Sequence, residues 1–165
     1  MLKLLVSRRL PESVMMAAAD HFDVTCRPVT TPMDHAECVA ALRDFDIILP
    51  TLGDAFRAPA FAEVSRPRAR LLANFGVGYN HIDVAAARTA GVAVTNTPGA
   101  VTDATADIAL TLILMTARRA GAGERMLRAG QWAGWHPTQM LGMHVSGRTV
   151  CIIGMGRIGQ AIARR

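Results

Sequence analysis

Arg70-Leu71-Leu72-Ala73-Asn74-Phe75-Gly76-Val77-Gly78-Tyr79-Asn80-His81-Ile82-Asp83 opens a stretch that closes at Gly91-Val92-Ala93-Val94-Thr95. Arg70–Asn74 is a short apolar run and reads as a strand. Two glycines one residue apart then turn the chain. Asp83 stands where a carboxylate accepts the free N–H groups of a starting helix. The Ala-rich run 84–90 is that helix, Gly91 ends it, and Val92–Thr95 is the next strand. Strand, glycine turn, helix and strand make the repeating unit of a parallel sheet.

The same alternation continues towards the N-terminus. Leu2–Ser7, Phe22–Cys26 and Asp46–Leu49 read as three more strands. Pro11 opens a helix in the position that suits its fixed φ, with Glu12 near the positive end of the dipole. Asp34 and Glu37 form a capping box for a helix through Leu42. Short, continuously apolar strands fit a parallel sheet covered by helices on both faces. Residues 1–98 are therefore expected to be a flavodoxin-like α/β domain with five parallel strands.

Asn96-Thr97-Pro98-Gly99 is a turn-rich break. A long helix is expected from Asp103 to Ala120, interrupted by Gly121 and Gly123, with a second short helix to Ala129. Residues 130–147 read as an extended arm or loop. Thr149–Ile153 reads as a strand, and Gly154 turns the chain into a helix that reaches Arg165. Residues 99–165 are thus a linker helix, an arm and the first strand–turn–helix of an incomplete Rossmann domain. A first strand without its own sheet neighbour reads as part of a longer protein.

Composition excludes several classes. The net charge is +5, but Lys3 is the only lysine and the arginines are scattered, with no basic run interleaved with aromatics. Nucleic-acid binding is not expected. Ile108–Ala117 is too short to span a membrane and is bounded by Asp107 and Arg118. Met1–Ser7 is too short and too soon charged for a signal peptide. Cys26, Cys38 and Cys151 lack metal-like or redox-like spacing, which fits reduced, buried thiols in a cytoplasmic protein. No two histidines have the spacing of a metal site, so no metal is expected.

Two glycine motifs carry chemistry. Gly154-Met155-Gly156-Arg157-Ile158-Gly159 follows an apolar run and leads into a helix. There Gly154 permits the tight turn, Gly156 lets the backbone approach a pyrophosphate and Gly159 allows close helix packing. The phosphate would sit at the helix N-terminus. The second motif, Gly76-Val77-Gly78, can turn successive N–H groups to one side and bind a small anion such as a carboxylate; a tight turn without a ligand is the other reading.

Taken in register, Gly76–Asp83, Gly91–Gly99, Thr102–Asp107, Gly130–Trp132 and Gly154–Gln160 resemble the D-isomer-specific 2-hydroxyacid dehydrogenases, with the pattern of the glyoxylate and hydroxypyruvate reductases. The resemblance implies two α/β domains with a cleft between them and a bound NAD or NADP. It implies that the N–H groups of Val77 and Gly78 bind the substrate carboxylate, with Leu52 in a loop bordering the same site. Thr105 would lie near the nicotinamide, and Met155, Gly156, Arg157 and Ile158 would cradle the pyrophosphate. Residues 103–146, including an apolar stripe of Ala104, Ile108, Leu112 and Met115 and the arm around Trp132, would form a homodimer contact. The expected reaction is reduction of a small 2-oxo acid to the 2-hydroxy acid. The family's catalytic Arg, Glu and His come after the glycine motif and have no counterpart in residues 1–165, so no catalytic residue is assigned. A dinucleotide-binding co-regulator and a phosphite or formate dehydrogenase are the alternatives within the same superfamily.

Overall fold

The computed structural model describes residues 1–165, which divide into two compact units, Met1–Pro98 and Gly99–Arg165. Unit 1 alternates strands and helices without exception: β1 (Lys3–Val6), α1 (Glu12–Ala19), β2 (Asp23–Cys26), α2 (His35–Asp44), β3 (Ile47–Leu49), α3 (Ala58–Ala62), β4 (Leu71–Ala73), α4 (Val84–Thr89) and β5 (Ala93–Thr95). The sheet order is β2-β1-β3-β4-β5. Every neighbouring pair is parallel. This is the flavodoxin-like order, as the alternating apolar runs predict.

Register explains the core. Leu5 pairs with Ile48, Ile48 with Leu72 and Leu72 with Val94, so one row of apolar side chains crosses the sheet. Leu5, Ile48 and Leu72 are buried beneath Cys38, Ala41 and Leu42 of α2, Ala60 and Phe61 of α3, and Ala87 of α4. Burying each large member of the row is worth roughly 1.5–3 kcal/mol. Leu4 and Val6 point the other way and are also buried. Right-handed crossovers place α1 on one face and α2, α3 and α4 on the other.

Local signals act where they were read. Asp34 accepts from the Glu37 N–H, and the Glu37 side chain accepts from the Asp34 N–H, closing the capping box. Asp83 accepts from the Ala86 N–H at 2.9 Å. Helix α3 was not foreseen; it is one short turn in the β3-to-β4 crossover, with a proline in its first turn. Helix α1 buries no residue.

Unit 2 contains α5 (Thr102–Ala117), α6 (Ala120–Arg128) and α7 (Arg157–Arg164). The long helix breaks at Arg118–Arg119, not at the glycines. Arg119 takes a left-handed φ of 56° and starts α6, which contains Gly121 and Gly123. The arm is anchored at this break: the Met143 N–H donates to the Ala117 carbonyl at 2.7 Å, satisfying an α5 C-terminal acceptor. Arg165, just after α7, pairs with Asp103 and Asp107 of α5.

The expected strand Thr149–Ile153 does not form; the stretch belongs to no sheet. A strand is stabilised by ladder bonds and by neighbours on its faces, and residues 99–165 supply neither. Ile153 is consequently 99% exposed, and Cys151, expected to be buried, is exposed.

Candidate functional site

In an open parallel sheet, ligands bind outside the carboxyl ends of the strands, where connections diverge to opposite sides. Here that point lies between β1, which leads out to β2, and β3, which leads the other way to β4. Ser7 and Arg8 follow β1; Pro50, Thr51, Leu52 and Gly53 follow β3; Asn74 to Gly78 follow β4. The last two loops are tied by the Phe75 N–H, which donates to the Pro50 carbonyl at 2.9 Å.

The loop after β3 is built on a buried carboxylate. Asp54, with no exposed surface, accepts from the Met33 N–H at 2.8 Å, the Thr51 N–H at 2.7 Å and the Thr51 hydroxyl at 3.2 Å. The Ser7 hydroxyl lies 3.1 Å from the Thr51 hydroxyl and accepts from the Thr51 N–H at 3.1 Å. Arg8 donates to the Thr51 hydroxyl at 2.6 Å and to the Leu52 carbonyl at 2.7 Å, with its other terminal nitrogen 3.6 Å from Asp54. Burial pushes the Asp54 carboxyl up. The Ser7 side chain, the Met33 and Thr51 N–H groups and the Arg8 charge outweigh it and hold the group below its ordinary value. The result is a rigid base that leaves the Leu52 side chain exposed, with its Cδ2 3.7 Å from where a Cβ would stand on Gly76.

In the loop after β4 the carbonyls of Gly76, Val77 and Gly78 are each held by a donor. The Gly76 oxygen accepts from the Thr97 N–H at 3.0 Å and from Asn74 Nδ2 at 3.1 Å. The Val77 oxygen accepts from Asn96 Nδ2 at 2.9 Å, and the Gly78 oxygen from Asn74 Nδ2 at 3.0 Å. In a trans peptide the N–H points away from the preceding carbonyl. The Val77 and Gly78 N–H groups are therefore turned away from these partners, and neither donates to a protein atom. Gly76 has φ 150°, which side chains rarely adopt, whereas a Cβ on Gly78 would meet nothing within 4 Å. Packing does not require glycine at 78; close approach of a ligand would.

His81 sits behind this loop, its Nε2 2.9 Å from Asn74 Oδ1. Burial and the Arg57 charge lower its pKa against the opposing pull of Asp54. The other four histidines are exposed. Cys38 is no nucleophile: burial, reinforced by Asp54, Asp34 and Glu37, pushes its thiol up to about 12.

The second expected site lies wholly in unit 2. Gly154 has φ 100°, and a Cβ on Gly159 would collide with the Gly154 carbonyl, so both positions need glycine on internal grounds. Gly156 is the N-cap of α7, and a Cβ there would meet nothing. The first intrahelical donor is the Gln160 N–H, to the Gly156 carbonyl, so the N–H groups of Arg157, Ile158 and Gly159 remain free at the helix start. Met155 is exposed beside them, its carbonyl held by Gln160 Nε2 at 3.2 Å. Thr105 is exposed on α5. These residues fit a phosphate group: open space at Gly156 and unpaired N–H groups at the positive helix end.

Residues 4–156 match the family model described as D-isomer specific 2-hydroxyacid dehydrogenase, catalytic domain. The chain belongs to the D-isomer specific 2-hydroxyacid dehydrogenase family. Glyoxylate reductase of Thermococcus kodakarensis is 40% identical over 167 residues, covering 99% of this chain and 50% of the relative. Glycerate dehydrogenase of Hyphomicrobium methylovorum is 35% identical over 163 residues, covering 99% and 50%. Among solved structures, a D-isomer specific 2-hydroxyacid dehydrogenase, NAD-binding, from Polaromonas superposes with a TM-score of 0.92 at 36% identity, covering 99% of this chain and 51% of that one. An NADPH-dependent glyoxylate/hydroxypyruvate reductase from Sinorhizobium meliloti, in complex with NADP and malonate, superposes with a TM-score of 0.76 at 34% identity, covering 99% and 49%. The chain thus spans about half the length of the dehydrogenases it matches.

Within this dehydrogenase chain the structure brings Leu52, Val77 and Gly78 together at the carboxyl edge of the sheet, and Met155–Gly159 together at the start of α7. Sequence reasoning missed Asn74, Asp54 and Arg8. Only Asn74 lay inside a quoted motif, and its polarity at the end of an apolar strand was the available signal.

No helix is long and apolar enough to cross a membrane.

Proposed function

We propose that this chain supplies the substrate-carboxylate site and the first phosphate-binding loop of an NAD- or NADP-dependent 2-hydroxyacid dehydrogenase. Its substrate would be a small 2-oxo acid such as glyoxylate or hydroxypyruvate, reduced to the 2-hydroxy acid. The observation that carries this reading is the pair of unpaired, adjacent N–H groups at Val77 and Gly78 on the carboxyl edge of the sheet. Backbone donors held in place before the ligand arrives need no reorganisation to receive an anion. Leu52 would limit the room beside the carboxylate and favour short carbon skeletons. Gly154 to Gly159 would hold the pyrophosphate, with Thr105 near the other end of the cofactor. When bound, the nicotinamide supplies the hydride for the carbonyl carbon. Free cysteines at 26, 38 and 151 support a cytoplasmic setting.

Titration of the chain with glyoxylate, followed by amide resonances at constant ionic strength, tests the carboxylate site. Val77 and Gly78 are expected to shift first and saturably. Shifts spread over arginine-rich surfaces with none at Val77 or Gly78 would refute the assignment.

The partner surface is read from α5 and the arm. Ile108, Leu112, Leu114 and Met115 are exposed on α5, with Trp132 and Trp135 exposed in the arm. Exposed apolar side chains at Ile108, Leu112 and Met115, which share one face of α5, together with two exposed tryptophans favour a second copy of the chain. Light scattering at micromolar concentration is expected to report twice 17.6 kDa. A species of 17.6 kDa alone counts against the dimer.

A further inference from the structure

Asn74 is 2% exposed, yet it is a polar side chain at the end of a central strand. Burying a carboxamide is costly unless each of its groups is paired. Its Nδ2 lies 3.1 Å from the Gly76 oxygen and 3.0 Å from the Gly78 oxygen. Both are acceptors, so both Nδ2 hydrogens are used. The flipped amide would set Oδ1 against two carbonyl oxygens, which is repulsive. Oδ1 therefore faces His81, and its neighbour there, Nε2 at 2.9 Å, must carry a proton. One side chain thus gathers the carbonyls on either side of Val77, and a second side chain decides which way round the first one stands.

We infer that Asn74 and His81 are a positioning pair for the anion site: Asn74 ties the two ends of the Gly76–Gly78 turn and aims the Val77 N–H outward, while Asn96 holds the Val77 carbonyl opposite the Gly78 N–H, and His81 holds Asn74 in the only amide orientation that makes both of its bonds. The inference rests on the reading of Val77 and Gly78 as a carboxylate site. Neither side chain touches the ligand; both act through the loop. The Asn96 and Thr97 bonds hold the Val77 and Gly76 oxygens from the β5 side. Asn74 is the one group that reaches both the first and the last carbonyl of the Gly76–Gly78 turn. Aspartate at 74 would set a carboxylate against those oxygens and open the turn. Glutamine at 81 keeps an N–H donor at the reach of Nε2, whereas alanine removes it.

Three measurements on the chain decide the matter: the His81 tautomer from nitrogen-15 shifts of the ring, glyoxylate affinity from the Val77 and Gly78 amides, and the melting temperature. In the wild type, neutral His81 is expected to be the Nε2–H tautomer. His81→Ala is expected to weaken glyoxylate binding about fivefold, the scale of one neutral hydrogen bond. His81→Gln is expected to restore affinity to within about twofold, a smaller loss than that bond carries. Asn74→Asp is expected to weaken binding by more than about tenfold, since it replaces two bonds by repulsion. A merely structural role would make affinity follow melting temperature across all three variants. Wild-type affinity in His81→Ala, no rescue by His81→Gln, or an Nδ1–H tautomer would each overturn the pair while leaving the carboxylate reading intact. If wild-type Val77 and Gly78 fail to respond to glyoxylate at all, the carboxylate reading falls, and the positioning role falls with it.

Discussion

Residues 1–165 assayed alone with glyoxylate or hydroxypyruvate and NADH or NADPH are expected to give no turnover above the uncatalysed background. Reduction of a 2-oxo acid delivers a hydride to the carbonyl carbon and a proton to its oxygen. The proton donor must reach that oxygen at about 2.6–3.2 Å, directly or through one water. His21, His35, His136 and His144 are exposed. His81 is close to the Gly76–Gly78 turn, but its Nε2 is committed to Asn74. Arg8, which reaches the β3 loop, uses its terminal nitrogens on Thr51, Leu52 and Asp54 and is not free as a carboxylate clamp. Loss of one member of a catalytic set costs several orders of magnitude, and what remains is binding alone. Absorbance of the reduced nicotinamide reads the outcome. Turnover on the ordinary enzymatic scale of about 1–10³ s⁻¹ would place a proton donor inside the chain, with His81 the first to replace.

Asp54→Ala is expected to give the largest loss of stability in unit 1. The change leaves the buried Met33 N–H without an acceptor, leaves the Thr51 N–H only its longer bond to the Ser7 hydroxyl, and strips the Arg8 guanidinium of its counter-charge. Removing one partner of a buried charged network costs about 3–5 kcal/mol. For a domain of this size each kcal/mol shifts the melting temperature by roughly 4–8 °C, so a fall of at least about 12 °C is expected. The pH dependence has a defined sign. The folded Asp54 carboxyl lies below its ordinary value. Its stabilisation is therefore present above the unfolded carboxyl pKa of about 3.9 and is lost as pH falls through the folded value. The gap between wild type and Asp54→Ala should thus be full near neutrality and close in acid. Thermal melts followed by circular dichroism across that range measure it. A difference below about 3 °C at neutral pH, less than 1 kcal/mol, would show that the network does not hold the loop.

Much of the fold was legible because its determinants are local. Capping at Asp34 and Asp83 needs only a side-chain oxygen and the next three residues, and the apolar runs of β1, β3 and β4 announce burial by composition. Helix α3 was missed because a single turn shows no periodicity. The break of the long helix was misplaced for a related reason. Gly121 and Gly123 signal weak helix, but the chain turns at Arg119, where the arm returns to bond Ala117.

The site divides in the same way. The sequence by itself determined which loops would carry backbone donors, because glycine at 76, 154 and 159 reflects backbone conformations and contacts that tolerate no side chain. It also determined the parallel α/β class of residues 1–98. The tertiary structure alone decided which strands are neighbours, and hence that Ser7, Thr51 and Asp54 form one hydrogen-bonded base. It decided that Asn74 pairs with His81, a contact seven residues away. It also decided that Thr149–Ile153 stays outside any sheet. An apolar run can state a preference for burial, but a strand exists only when a neighbouring strand takes its hydrogen bonds.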